Sequence, residues 1–155
     1  MNLADSAGRL VTDEDEMAQI VRSAKVVAVL GMKDERQPMA PAYEIPKVLL
    51  ARGLRVIPVN PRIRESLGVP SHPNLASVRE PVDILDIFRR SSHIPAHTDE
   101  ILALPPAQRP RVVWMQSGIR DEASAERLAL AGILVVMDAC LGVYAARYRA
   151  RASEG

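Results

Sequence analysis

One cysteine, one tryptophan and one phenylalanine stand among 155 residues, and each scarcity excludes a class of protein. A single thiol, Cys140, permits no internal disulfide framework and fits a reducing cytoplasm. Aromatic residues make up 3% of the chain and are not interleaved with the basic ones, so no base-stacking surface is expected. The formal net charge is +1 and no cluster of Lys and Arg is dense, which argues against a nucleic-acid partner. No apolar run approaches the ~18 residues of a membrane span. The opening MNLADSAGRLVTDEDE lacks a basic region followed by an apolar core, so no secretory signal is expected. Both GxGxxG and GxxxxGK[ST] are absent. Cysteine and histidine are too sparse and too far apart for recognisable zinc spacing, and no metal site is expected. His93 and His97, four apart without a third ligand, read as a solvated helix start.

What is present is an alternation of apolar runs with helix-like segments. Thr12, followed by Asp13, Glu14 and Asp15, predicts an N-cap and a helix over about 13–23. VVAVL (26–30), RVIPV (55–59), DILDIF (83–88), VVWMQ (112–116) and LVVMD (134–138) have strand character. Helices are expected near 42–52, 94–104, 121–131 and from about 140, with Pro95 in a first turn. Gly53 and Gly132 stand where helix C-caps belong. Strands rich in Val and Ile without polar alternation are buried on both faces, and helices between them give βαβ units. The expectation is one α/β domain over 1–155, core about 20–147, with a Rossmann-like, doubly wound, five-stranded parallel sheet. Its expected strand order is 3-2-1-4-5, counting 26–30 as the first. Residues 62–82 are irregular and predict at most a short strand or turn.

In an open parallel sheet, ligands bind beyond the carboxyl ends of the strands, where strand order reverses. That rule selects Gly31-Met32-Lys33, Asn60-Pro61-Arg62, Phe88-Arg89-Arg90, Gln116-Ser117-Gly118 and Asp138-Ala139-Cys140. Gly31 allows a tight turn, and Lys33 offers a cation to a phosphate. Where an NAD site carries an acid at the second strand end, this chain has an amide followed by arginines. That suits a ribose bearing an extra phosphate, as in NADP or coenzyme A. As a strand cap, Asn60 would bond the loop backbone while Pro61 sets the exit angle. Trp114 reads as core and Asp138 as a cap for the last helix. Asp83 and Asp86 differ by three within a strand and face opposite sides, so they form no acid–base pair. Cys140, the one nucleophile candidate, reads as a small apolar residue at a helix start, and no catalytic residue is expected.

Taken together, VAVLGMKD, GLRVIPVNPR, PVDILDIFRRSSHIP, VVWMQSGI and LVVMDACLG resemble the small stand-alone CoA-binding proteins. These are similar to the nucleotide-binding domain of the succinyl-CoA synthetase α subunit, and the resemblance covers about residues 20–147. It implies that Gly31, Met32 and Lys33 approach the CoA diphosphate. Asn60, Pro61 and Arg62 would lie beside the adenosine, with an arginine toward its 3′-phosphate. Phe88, Arg89 and Arg90 would supply apolar contact to adenine and charge near phosphate, and Gln116, Ser117 and Gly118 would border the pantetheine arm. Met32 stands where the family commonly has a small hydroxyl residue. ERQPMAPAY (35–43) replaces an Arg-Pro-Ser-Tyr-like stretch, of which Arg36 and Tyr43 preserve part.

Three functions follow as alternatives. The first is non-catalytic binding of CoA or acyl-CoA, a small-molecule partner with no nucleic acid and no membrane. The phosphorylated histidine and further domains that full ligases place beyond this fold are not matched by His72, His93 or His97. The second is an NADP-dependent oxidoreductase, against which the missing glycine fingerprint counts. The third is a scaffold or regulatory protein that has lost its ligand, a reading that Met32 keeps open.

Overall fold

A computed structural model of the chain describes residue 3 and residues 7–152; both ends of the expected 1–155 unit fall outside it. Among the described residues, eight strands and five α-helices follow in chain order: β1 (Arg9–Leu10), α1 (Glu14–Ser23), β2 (Val26–Leu30), α2 (Pro41–Ala51), β3 (Arg55–Val59), β4 (Glu65–Ser66), β5 (Val69–Pro70), β6 (Ile84–Ile87), α3 (Ile94–Ala103), β7 (Val112–Met115), α4 (Glu122–Leu130), β8 (Leu134–Val136) and α5 (Leu141–Tyr148). Short 3-10 turns add Leu75–Ser77, Ser91–His93 and Pro106–Gln108.

Six strands form one parallel sheet in the order β1-β8-β7-β6-β2-β3, and β4-β5 is a small antiparallel hairpin. Two expectations are thereby corrected. The sheet has six strands, because Arg9 and Leu10 pair with Leu134 and Val135. The five expected strands run 2-1-3-4-5, not 3-2-1-4-5, because β6 inserts beside β2 and not outside β3. The outer edge of β3 is already occupied: Asn60 N–H donates to His72 O and His72 N–H to Pro58 O, both at 2.9 Å. On the other side, the Asp83 carboxylate accepts from the Lys25 and Val26 N–H groups at 2.8 and 3.0 Å, fastening the start of β6 to the start of β2.

Alternate residues along each strand bury opposite faces. Val27, Val29, Ile84 and Trp114 pack beneath α1, α2 and α5, whereas Ala28, Leu30, Leu85 and Met115 pack beneath α3 and α4. Trp114 is fully buried, as expected, with its indole N–H donating to Ala139 O at 2.9 Å. Helix limits follow the sequence closely, with one shift: Asp13, not Thr12, caps α1 by accepting from Glu16 N–H at 3.0 Å. Gly53 and Gly132 do adopt the left-handed conformation that ends α2 and α4. Among the described residues, no helix is long and apolar enough to cross a membrane.

This winding places the crossovers through α2 and α3 on opposite faces, so their loops part between β2 and β6. That gap is the switch point where an open α/β sheet forms a crevice.

Candidate binding cleft at the carboxyl edge of the sheet

The loop leaving β2 begins where it passes the loop leaving β6. Gly31 has φ +84, and a Cβ there would lie 2.7 Å from the Phe88 carbonyl oxygen and 3.1 Å from Arg89 Cδ. Both the conformation and the space require glycine.

Beyond Gly31 the loop is tied down at four points. The Met32 carbonyl accepts from Asn60 Nδ2 at 2.8 Å. Lys33 N–H donates to Ala42 O at 3.0 Å. That carbonyl is free because its helical donor would be residue 46, which is proline. The Lys33 carbonyl accepts from the buried Ser66 hydroxyl at 2.7 Å, and Leu67 N–H donates to the Glu35 carboxylate at 2.7 Å. Peptide planarity then turns the Asp34 N–H away from Ser66. The irregular 62–82 stretch thus contributes a hairpin that buttresses the loop.

Asn60 explains why β3 ends on an amide. Its Nδ2 donates to Met32 O while its Oδ1 accepts from Arg62 N–H at 2.9 Å. A carboxylate can only accept and could not make the first bond.

Between the tips of β2 and β3 and the flank of α3 lies a cleft of ≈ 320 Å³. Of the residues singled out by sequence, Gly31, Asn60, Pro61, Arg62 and Arg89 line it. Arg62 and Arg89 bring two guanidinium groups, neither paired with a carboxylate among the described residues. Arg89 Nη2 lies 3.2 Å from His93 Nδ1.

The remaining expected residues lie elsewhere on the rim. Met32 is fully buried in the core beneath α1, α2 and α5, leaving only its backbone to the loop. Lys33 is half-buried beside it. Arg36 turns back onto Asp34, with Nε 3.1 Å from each carboxylate oxygen; that bond holds the Asp34 carboxyl below its ordinary range. Tyr43 is buried on α2, with Lys47 Nζ 5.7 Å from its ring centroid. Phe88 packs on the α1/α2/α5 side of the sheet, and Arg90 is exposed before the 91–93 turn. Gln116 is buried and caps α5, its Oε1 accepting from Leu141 N–H at 2.8 Å. Ser117 is exposed. Gly118 has φ +83 and donates its N–H to Asp138 Oδ1 at 2.6 Å. Asp138 therefore closes the β7–β8 rim and does not cap the last helix. Cys140 occupies the N-cap position of α5 without a side-chain bond to it, and Gln116 supplies the cap instead.

Sequence reasoning missed His97. It is not solvated: it lines the cleft with Glu100, its Nδ1 is 3.3 Å from Glu100 Oε1, and its Nε2 is buried. Burial lowers its pKa, against the opposing effect of Glu100. A carboxylate accepts only, so in the neutral ring Nδ1 carries the proton. The signal was helical spacing: Ile94, Thr98 and Ile101 are the buried face of α3, and His97 lies three residues from Ile94.

A family model described as "CoA binding domain" matches residues 25–146. The uncharacterized protein YneT of Bacillus subtilis is 34% identical over 128 residues, covering 83% of this chain and 90% of that protein. Among solved structures, cell-free ID.343 from Thermus thermophilus is 40% identical with a TM-score of 0.79, covering 88% of this chain and 99% of that one. A hypothetical protein from Pyrococcus horikoshii OT3 has a TM-score of 0.78 at 22% identity, covering 88% and 92%, and is alike in fold.

Proposed function

This chain belongs to the CoA-binding domain family, and on that premise we propose that it binds coenzyme A or an acyl-CoA at the carboxyl edge of its sheet without transforming it. One observation carries the reading. The cleft beside the switch point joins a glycine-tight loop, Gly31, to two guanidinium groups without carboxylate partners among the described residues, Arg62 and Arg89. Cations of this kind suit the 3′-phosphate and pyrophosphate of CoA, each charge-assisted bond contributing roughly 1.5–3 kcal/mol.

The adenosine end occupies the cleft beside Pro61 and His97, and the pyrophosphate runs along the Gly31–Lys33 loop. The pantetheine arm passes toward Gln116, Ser117 and Gly118. Backbone anchoring by Asn60, Ala42 and Ser66 preorganises the loop, so little ordering entropy is lost on binding. A reducing cytoplasm is the compartment that the single thiol fits.

Calorimetry and thermal unfolding with CoA, dephospho-CoA, NADP and ATP test this. Ligand at one hundred times its Kd adds about 2.7 kcal/mol of stability, an expected Tm rise of roughly 5–10 °C. No heat and no shift at millimolar CoA would overturn the reading. Thiol release from acetyl-CoA above the buffer rate would overturn its non-catalytic part.

A further inference from the structure

The carboxyl rim holds a second cavity, of ≈ 380 Å³, at its opposite end, above the tips of β8 and β1. Its floor is apolar: Val11, Met17 and Val135 are buried there, and Met137 and Tyr144 form walls. Arg120 stands at its edge but is already matched, 3.0 Å from Glu122 and 3.8 Å from Asp138. Among the described residues, the cavity thus has apolar contact surface and no spare positive charge.

From the first cleft, between β3 and β2, to this one, between β8 and β1, there are four inter-strand steps. At ~4.8 Å each, they lie roughly 19 Å apart. The intervening rim is continuous, because Arg120 N–H donates to Ser91 Oγ at 3.0 Å and joins the loops after β6 and β7. It is also open at Gly118, where a Cβ would meet nothing within 4 Å.

We infer that the second cavity receives the acyl group of a CoA thioester, and that it selects short uncharged acyl chains over free CoA and over chains ending in a carboxylate. This rests on the reading of the first cleft as the nucleotide end. From the end of β2, where the pyrophosphate loop begins, the cavity is about three and a half steps or roughly 17 Å away, and that separation suits the linker. From pyrophosphate to thioester carbon the pantetheine arm has about fourteen bonds, which extended at ~1.2 Å per bond cover roughly 17 Å. A three-carbon tail filling the cavity adds apolar burial that free CoA lacks, enough for an affinity gain of about tenfold or more. A terminal carboxylate would meet Glu122 and Asp138 with no unpaired cation to receive it.

The experiment uses the full chain with its methionine methyls labelled with carbon-13, titrated with CoA, butyryl-CoA and succinyl-CoA, alongside calorimetry. Butyryl-CoA is expected to bind about tenfold tighter than CoA and to move the Met17 and Met137 methyl signals, which CoA leaves in place. Met39, 82% exposed and not among the residues lining the rim cavity, is the internal control. Succinyl-CoA should bind no better than CoA. Thr12→Trp, at an exposed position of the cavity mouth, should erase the butyryl advantage and leave CoA affinity unchanged. Equal affinity for CoA and butyryl-CoA, or tighter butyryl-CoA binding with Met17 and Met137 unmoved, overturns the acyl assignment while CoA binding stands. Absence of any response to CoA overturns the nucleotide reading itself, and this inference with it.

Discussion

Asn60 Nδ2 donates to the Met32 carbonyl at 2.8 Å, and the same side chain accepts from the Arg62 N–H at 2.9 Å. One buried carboxamide therefore couples the end of β3 to the loop after β2. Asn60→Asp keeps size and shape but replaces the donor with an acceptor facing a carbonyl oxygen. Leaving that carbonyl without its donor costs about 1–3 kcal/mol, measurable by urea unfolding at pH 7. Protonation restores a donor, so the folded state raises the carboxyl pKa of the new Asp above its unfolded value. The variant's deficit should accordingly shrink as pH falls toward 4 and grow as pH rises. A deficit independent of pH would mean that Met32 O is not the contact that matters.

Gly31 makes a second prediction. Gly31→Ala must place a Cβ at φ +84 and within 2.7 Å of Phe88 O. The left-handed conformation alone costs about 1–2 kcal/mol, and the overlap must move one of the two rim loops. The variant should lose stability in thermal unfolding and bind CoA more weakly in calorimetry. Full retention of both would contradict the close passage of these loops.

Arg62 separates charge from structure. Its side chain is exposed and has no carboxylate partner among the described residues, so Arg62→Ala should change stability by less than about 0.5 kcal/mol. If the guanidinium meets the 3′-phosphate, the substitution removes a bond of roughly 1.5–3 kcal/mol, about tenfold to a hundredfold in CoA affinity. Dephospho-CoA, lacking that phosphate, should bind the variant and the parent almost equally. An equal loss for both ligands would place Arg62 elsewhere on the nucleotide.

These tests bear on residues visible in the sequence for a local reason. Gly31 follows an apolar run, Asn60-Pro61 interrupts one, and Arg62 and Arg89 sit directly at strand ends, where a parallel sheet gathers its ligand contacts. Strand and helix limits were legible for the same reason, since periodicity and caps act over a few residues. Strand order was not. β6 is held beside β2 by contacts far apart in sequence, such as Asp83 accepting from the Lys25 and Val26 amides, 58 and 57 residues away, and no local pattern encodes such a contact. β1 is two residues long with both side chains exposed, too short to show a period. The side chains of Met32, Phe88 and Gln116 point away from the cleft because strand alternation and loop direction, not rim position, decide which face a residue serves. Pro46 could have been read from sequence: a proline inside a helical pattern frees the carbonyl four residues earlier, and here that carbonyl anchors Lys33.

Asp86 supplies the last prediction, and it concerns the core. It lies on β6 in register with Val29 of β2 and Trp114 of β7. It is fully buried, and neither carboxylate oxygen has a hydrogen-bond partner among the described residues. Burial raises its pKa well above the ordinary carboxylate value. An acid whose folded pKa exceeds its unfolded pKa contributes no penalty below the unfolded value of ~3.9. As pH rises past that point the unfolded chain ionises first, and stability falls until the folded pKa is reached. Asp86→Asn removes the titration while keeping nearly the same volume. Its unfolding free energy should exceed that of the parent at pH 8, with the gap narrowing toward pH 4, where both side chains are neutral in the fold. Urea unfolding at pH 4, 6 and 8 decides the matter. Parallel pH profiles for the two proteins would show that Asp86 titrates alike in the folded and unfolded chain, and would contradict the raised pKa. A steeper loss for the parent above pH 4 would show that a neutral acid sits under the switch point.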